Sequence, residues 1–158
     1  MEIRQATRDD IDGLISLLNQ IGRLHHQHEP LVFTPPSDDH QAFWLKALED
    51  ETRLFSVAVI EQQTGEKIAG LITARIDINE TIPFVTSMPV CRIGTVVVDE
   101  HCRRSGVGRA LLKHCEQWAQ AHDAFQTRLE VMSFNEAAKS FYEQLGYQQQ
   151  SEIRAKML

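Results

Sequence analysis

One loop combines positive side chains with glycines that leave the main chain accessible: Arg103-Arg104-Ser105-Gly106-Val107-Gly108. Apolar residues at helical spacing follow it, so the loop lies at the start of a predicted helix. The first turn of a helix presents unpaired main-chain N–H groups, and neither glycine has a Cβ to keep an anion away from them. The pattern predicts a phosphate-binding loop, although Gly-x-Gly alone also fits a plain turn between a strand and a helix.

The positive charge of the chain is concentrated at this loop. The 158 residues carry a formal net charge of -6, whereas a broad nucleic-acid surface needs clustered Lys and Arg. Arg103, Arg104 and Arg109 form one such cluster, with Lys113 a helical turn further on. A cluster of this size suits a small polyanion, so we expect no nucleic-acid partner.

The remaining composition predicts free cysteine thiols and indicates neither a metal site nor a membrane-spanning segment. No apolar run approaches the roughly 18 residues of a membrane span, so we expect a soluble, cytoplasmic protein. The three cysteines are an odd number without paired spacing, which favours free thiols over a disulfide framework. The spacing of His25, His26 and His28 suits no common zinc site without further ligands.

Hydrophobic periodicity predicts a single α/β domain over residues 1–158. Two helices separate the first two strands, a third helix begins at the phosphate loop, and Asn135 can cap a fourth. Gly94 lies inside the strand before the loop and indicates a bulge or the close approach of a ligand. The predicted strands cover residues 3–6, 54–60, 68–78, 92–98, 128–131 and 147–158, with a hairpin turn at Thr64-Gly65.

Two motifs, in this order, resemble one protein superfamily. Other phosphate loops do not fit, because Gly-x-x-x-x-Gly-Lys-Ser/Thr is absent and Leu111 stands where a dinucleotide fingerprint needs a glycine. Arg103-x-x-Gly106-x-Gly108 is similar to the signature with which Gcn5-related N-acetyltransferases (GNAT) bind the pyrophosphate of coenzyme A. A second GNAT signature is similar to Asn135-x-x-Ala138-x-x-Phe141-Tyr142-x-x-Leu145-Gly146-Tyr147.

The resemblance implies the GNAT acyl-CoA N-acyltransferase fold and acetyl-CoA as co-substrate, with no metal. That fold is a single layer of about six to seven mostly antiparallel strands, flanked by about four helices, with a splayed central strand pair. Pantetheine would enter the splay and pair with main-chain groups of Val96 and Val98, as an added strand does. The residues at the coenzyme-binding positions are Val96, Val97, Val98, Arg103, Arg104, Ser105, Gly106, Val107, Gly108, Arg109, Asn135, Ala138 and Phe141.

The resemblance also implies how acetyl would be transferred to an amine. The amine must attack unprotonated, and the departing thiolate needs a proton. Tyr142 aligns with the family's general acid; the alternative is a core aromatic on an apolar stripe. Glu130 matches the base of ribosomal-protein alanine acetyltransferases, with His28 and Glu29 as alternatives. The main-chain N–H of Val96 would meet the oxyanion.

The acceptor amine is the least defined part of the predicted reaction. In this family the loop between the first two helices lines the acceptor site, which implies His28, Glu29 and Phe33 as acceptor residues. Cationic small molecules such as polyamines or aminoglycosides, and peptide termini or lysines of proteins, suit an acidic chain. The sequence does not decide whether the chain forms a homodimer. It also leaves the alternative of a non-catalytic acyl-CoA-binding sensor of the same fold, which would release no thiol from acetyl-CoA.

Overall fold

The computed structural model describes residues 1–63 and 65–158. Their β-branched and apolar runs form a five-stranded sheet in which strands adjacent in sequence are adjacent in space. The strands are β1 (Glu2–Gln5), β2 (Arg53–Gln62), β3 (Gly65–Asp77), β4 (Val90–Val98) and β5 (Gln126–Arg128). The helices are α1 (Ile11–His28), α2 (Gln41–Ala47), α3 (Val107–Ala121) and α4 (Glu136–Glu143). The α/β class and the predicted order of elements as far as α4 are confirmed.

Helices cover both faces of the sheet, and each face has its own apolar core. Side chains alternate between the faces of a strand, so neighbouring residues of β3 serve different cores. Leu71 packs with Leu14 of α1 in one core, and Ile72 packs with Leu111 of α3 in the other. The sheet is therefore a middle layer that presents β4 to a helix on each side.

The strand pair at one end of the sheet is splayed, as the resemblance implies. β1 to β4 pair antiparallel, whereas β5 runs parallel to β4, because α3 crosses over between them. The parallel pairing covers three positions, from Val90↔Gln126 to Arg92↔Arg128. Beyond Arg92, no strand of the described residues pairs with β4 on this side, and we call this stretch of β4 (residues 93–98) the open edge.

The predicted bulge at Gly94 is confirmed. Thr95 lies opposite Thr73 and Ile93 lies opposite Ala74, so Gly94 is an extra residue on β4. A bulge bends its strand and increases the local twist. The bend begins where the pairing with β5 has just ended, so it shapes the start of the open edge.

Two predicted strands are corrected by the structure. The strand predicted at residues 128–131 ends at Arg128, so Glu130 lies beyond it. The strand predicted for the tail, residues 147–158, is wrong: residues 148–158 have no regular structure and are exposed. This tail mixes glutamines and charges with isolated apolar residues and offers no face to bury. The described sheet thus has five strands instead of the six to seven expected.

Smaller expectations concern the turn, the cysteines and membrane contact. Thr64 of the predicted hairpin turn lies outside the described residues, while Gly65 begins β3. All three cysteines are buried and unlinked, with the sulfurs of Cys91 and Cys115 3.8 Å apart. In the two described ranges, none of the helices has the length and apolar character needed to cross a membrane.

Candidate functional site

The predicted phosphate loop (residues 103–108) joins the end of β4 to the start of α3. Asp99 leads into it through a single 3-10 turn, and its carboxylate accepts a hydrogen bond from the main-chain N–H of His101 at 3.0 Å. Arg104 and Gly106 have φ values of 62° and 88°. Left-handed residues in such a turn direct successive N–H groups into one concavity, which suits an anion. Glycine is the residue that adopts this conformation without strain.

Gly108 lies where α3 approaches α4 and β4 most closely. A Cβ at this position would lie 3.1 Å from Cζ of Phe141 and 3.5 Å from Cγ2 of Val98. The first distance is tighter than ordinary van der Waals contact, so a larger side chain would displace the ring. Gly108 therefore keeps the loop, the open edge and α4 close together.

The other loop residues divide into exposed cations and structural supports. Arg103, Arg104 and Arg109 are exposed, and Nε of Arg103 donates to the carbonyl of Val98 at 3.4 Å. The hydroxyl of Ser105 donates to the carbonyl of Cys102 at 2.5 Å, and Val107 is buried in the core. The loop thus offers three arginines to solvent above a backbone that is fixed from below.

The open edge presents the main-chain groups of alternate β4 residues. The N–H of Asp99 donates to the carbonyl of Ala69 at 2.9 Å, so odd-numbered residues here face β3. Because main-chain groups alternate along a strand, Val96 and Val98 direct their N–H and C=O groups away from β3. Val97 instead faces β3 with its main chain and buries its side chain against α1. An extended ligand would find hydrogen-bond partners at Val96 and Val98.

Helix α4 carries the second predicted motif. The side chain of Asn135 accepts a hydrogen bond from the N–H of Ala138 at 3.1 Å and so caps the helix. This cap uses the Asn135 oxygen and leaves its amide N–H groups available. Phe141 and Tyr142 are half-buried and pack against the α3 core, with ring centroids 5.4 Å apart. The motif thus supplies one polar cap and two aromatic rings.

Tyr142 has the protonation state that a proton donor needs. Burial raises the pKa of Tyr142 to about 12, so the phenol keeps its proton at neutral pH. Its hydroxyl makes no hydrogen bond to another residue in the described part of the chain. Tyr147, the second tyrosine, is held by Thr127 at 3.3 Å and Glu116 at 3.0 Å. Of the two phenols, only that of Tyr142 is free to meet a ligand.

The predicted base occupies a more open position. Glu130 is exposed and follows the end of β5 by two residues. The segment from residue 129 to residue 134 has no regular structure apart from a turn before Asn135. No contact in the structure directs the carboxylate of Glu130 towards the open edge, and its role as base stays a prediction.

A cavity of about 300 Å³ adjoins the bulge of β4 on the α1 side of the sheet. We call it the acceptor cavity because its lining includes Phe33, one of the acceptor residues predicted from the sequence. Its walls come from α1, from the segment that follows it, from α2 and from the bulge, and most of their side chains are apolar. The lining residues include Ile15, Leu18, Ile21, His25, Phe33, Pro35, Pro36, His40, Trp44, Gly94 and Thr95. Of the predicted acceptor residues, Phe33 lines this cavity, whereas His28 and Glu29 lie at the end of α1.

The three neighbouring histidines of α1 have different surroundings. Nδ1 of His26 is 2.7 Å from the carbonyl of Phe33, and Nδ1 of His28 is 2.9 Å from the carbonyl of Leu24. The ring of His28 also stacks on Phe134, with centroids 4.2 Å apart. His25 lies between Phe33 and Phe134, at centroid distances of 4.7 and 5.9 Å. The end of α1 therefore bridges the acceptor cavity and the segment before α4.

Sequence reasoning missed several residues that the fold brings to this side. His40 and Trp44 lie one helical turn apart at the start of α2, whereas Phe134 precedes α4, and no spacing in the sequence connects these two segments. The short apolar stripe of α2 gave the only signal, since it required a buried face for Trp44. Within residues 1–63 and 65–158, His, Cys, Asp and Glu side chains form no group of three that could hold a metal ion.

Comparisons with known proteins agree with this geometry. The model of the acetyltransferase (GNAT) family matches residues 18–147. An uncharacterized N-acetyltransferase of Bacillus subtilis, YhfO, is 28% identical over 152 residues, which cover 94% of this chain and 91% of the relative. A tetramutant of the BH1408 protein from Bacillus halodurans has a TM-score of 0.90 at 27% identity, with 100% of both chains covered. An aminoglycoside 6'-N-acetyltransferase from Acinetobacter haemolyticus shares the fold, with a TM-score of 0.76 at 18% identity over 100% of this chain and 98% of that one.

Proposed function

The chain belongs to the acetyltransferase (GNAT) family, and from that premise we propose that it transfers acetyl from acetyl-CoA to a primary amine by direct attack. One observation carries the proposal: the open edge of β4 runs from the acceptor cavity at Gly94 to the phosphate loop at Arg103. An extended ligand along this edge would meet an anion site at one end and an acceptor at the other. Acetyl-CoA has that shape and charge distribution.

The residues around the open edge suit the parts of acetyl-CoA. The N–H groups of residues 103–108 would hold the pyrophosphate, with the exposed arginines opposite its charge. Val96 and Val98 would pair with the amides of pantetheine, and the free N–H groups of Asn135 would add a further donor. Ala138 and Phe141 would pack against the apolar part of the arm. Bound in this way, acetyl-CoA supplies an activated acetyl group.

Tyr142 would act as the general acid. Attack of the amine on the thioester carbonyl forms a C–N bond, and the C–S bond then breaks. The phenol of Tyr142 gives its proton to the departing sulfur, which leaves as a thiol. The N–H of Val96, which faces the open edge, would meet the oxyanion. Glu130 is the base proposed from the sequence alone.

An activity assay tests the proposal directly. Acetyl-CoA is incubated with the protein and a panel of amines that includes polyamines, aminoglycosides, arylalkylamines and peptides, and free thiol is followed over time. Tyr142→Phe is expected to lower kcat about 100-fold, because general acid catalysis contributes at least this much. The Kd for acetyl-CoA, measured by calorimetry, should stay within about twofold of wild type, since the lost hydroxyl is not a binding group.

Tyr147→Phe is the matched control. It removes the same hydroxyl from a ring that is held by Glu116 and Thr127 outside the open edge, so kcat should change less than about threefold. A large loss of affinity in Tyr142→Phe would make Tyr142 a binding or packing residue. Tight acetyl-CoA binding without thiol release above background, for every amine, would support a sensor instead. Whether the chain forms a homodimer, which the sequence leaves open, is tested separately by light scattering.

A further inference from the structure

We propose that His25 is the base that takes the proton from the acceptor amine, and that the acceptor carries this amine on an apolar or aromatic body. The inference rests on the proposed function and deepens it. It follows from the acceptor cavity, which places the ring of His25 in the same enclosure as the β4 bulge, where the open edge begins.

The position of its ring distinguishes His25 from the neighbouring histidines. His26 and His28 each donate Nδ1–H to a main-chain carbonyl, which leaves Nε2 of both rings able to accept a proton. Of the three histidines, however, only His25 is among the lining residues of the acceptor cavity. Neither ring nitrogen of His25 makes a hydrogen bond to another residue within the described ranges, so this half-buried imidazole can accept a proton from a ligand there.

The surroundings of His25 keep it neutral. Burial, and secondly the charge of nearby His28, lower the pKa of His25. His40 is the other titratable group that lines the acceptor cavity. No carboxylate is among the lining residues to reverse the shift. A neutral imidazole at pH 7 is the form that accepts a proton.

The lining of the acceptor cavity defines the class of acceptor. Isoleucine, leucine, proline, phenylalanine and tryptophan side chains form most of the wall, and the cavity of about 300 Å³ admits one ring or a short aliphatic chain. A second ammonium group would have no counter-charge there and would lose its hydration. A neighbouring, more open cavity of about 440 Å³ does contain Asp12 and Asp38. An acceptor with several charges would have to use that second cavity.

The proton balance of the step is simple. The neutral amine attacks the thioester carbonyl through its nitrogen lone pair, so a C–N bond forms and the nitrogen becomes positive. His25 takes one proton from this nitrogen and becomes an imidazolium. The C–S bond breaks, and the sulfur receives the proton of Tyr142. His25 then passes its proton to solvent, and Tyr142 regains one, so no further reactant is needed.

The first experiment compares His25→Asn with Glu130→Gln, the rival base. His25→Asn is expected to lower kcat about 100-fold and to remove the acidic limb of the kcat–pH profile that reports the base. Its Kd for acetyl-CoA, from calorimetry, should stay within about twofold. Glu130→Gln tests the rival base: persistence of the acidic limb in this variant supports His25, whereas its loss would assign the base to Glu130. His122→Asn is the matched control, because His122 lies at the end of α3 outside the site.

The second experiment needs no turnover. NMR titration of the histidine rings, with 2-phenylethylamine and then putrescine added to the protein, should shift the His25 signal with the arylalkylamine and leave it unchanged with the diamine. If the acidic limb is retained in His25→Asn, or lost in Glu130→Gln, the assignment of His25 as the base is wrong. Preference for putrescine would overturn the acceptor class. In both cases the proposed function is still supported if the wild-type protein releases thiol from acetyl-CoA with at least one amine. If the wild-type protein releases no thiol with any amine, the proposed function is refuted.

Discussion

The two sides of the candidate site are built from different chemistry. The proposed coenzyme side, which comprises the open edge, the phosphate loop and α4, would bind through main-chain N–H and C=O groups and through the absence of side chains at Gly106 and Gly108. The acceptor cavity relies on side chains from α1, from the segment after it and from α2. One side is thus defined by backbone geometry, and the other by which side chains line it.

This difference determines how freely each side can change. Main-chain recognition requires glycine and a fixed order of elements, so a substitution there removes the binding geometry itself. A side-chain lining can be exchanged while the walls stay in place, and this alters which amine fits. The coenzyme side should therefore lose function by substitution, and the acceptor cavity should change specificity.

Gly108→Val is the strongest test of this contrast. A Cβ added at this position would already lie 3.1 Å from Phe141, and two further methyl groups would push the loop away from α4. We expect acetyl-CoA affinity to fall at least about 100-fold, which is about 2.7 kcal/mol of binding free energy. Calorimetry with acetyl-CoA measures the effect.

Ala121→Val is the control for this substitution, because it adds the same two methyl groups at an exposed position near the end of α3. It should leave affinity unchanged. Both variants should melt cooperatively by circular dichroism, since Phe141 is half-buried and its ring can move. Full affinity in folded Gly108→Val would contradict the assignment of the phosphate loop and remove the contrast between the two sides.

The same contrast explains which features the sequence predicts. The phosphate loop, the bulge at Gly94 and the cap at Asn135 were predicted, because each requires a particular residue type at a particular spacing. The splay of β4 from β5 came from the resemblance, and the structure has it. The tail strand was predicted wrongly, because the apolar residues of the tail, such as Ile153, are isolated and exposed and form no face that a sheet could bury.

The acceptor cavity was not predictable in the same way. Phe33 was expected there from the resemblance, but His40 and Trp44 join it only through the packing of α2. His25 was visible in the sequence as one of three similar histidines, and spacing could not separate them. Their positions do, because only His25 of the three lines the acceptor cavity, which forms where the segment after α1 lies against that helix.

Asp99 connects the two sides, and its removal tests how far they depend on each other. Its buried carboxylate accepts hydrogen bonds from Lys67 at 2.9 Å and from Gln20 of α1 at 3.1 Å. Gln20 in turn accepts from the N–H of Glu100 at 3.0 Å. Asp99→Asn should lower the free energy of unfolding by about 2 kcal/mol, because it leaves Lys67 beside a neutral amide. Urea denaturation measures the change.

The pH dependence of stability gives this variant a second signature. Burial raises the pKa of the Asp99 carboxyl, but the hydrogen bonds from Lys67, Gln20 and the His101 main chain outweigh burial and leave the pKa below its ordinary value. The resulting stabilisation is present above the pKa of the unfolded chain, about 3.9, and is lost as pH falls through the folded value. Asp99→Asn should therefore lose less stability than wild type below about pH 4. If the free energy of unfolding decreases equally with falling pH in both proteins, the stabilising role of the Asp99 carboxylate is refuted.

Gly22→Ala should have the smallest effect, on the acceptor side. Gly22 lies within α1 and lines the acceptor cavity, and a Cβ there would lie 3.6 Å from Cγ of Pro36, an ordinary contact. Alanine in a helix is favoured over glycine by about 0.5 to 1 kcal/mol, so the melting temperature should rise by roughly 1 to 4 °C.

Gly13→Ala provides the opposite case in the same helix, because its Cβ would lie 2.7 Å from Ile68 and should destabilise the protein. For Gly22→Ala, acetyl-CoA affinity should stay unchanged, while the KM for bulky amines rises because the added methyl narrows the acceptor cavity. A loss of acetyl-CoA affinity in Gly22→Ala would show that α1 also contributes to acetyl-CoA binding. The two sides could then not be separated into one defined by backbone geometry and one defined by side chains.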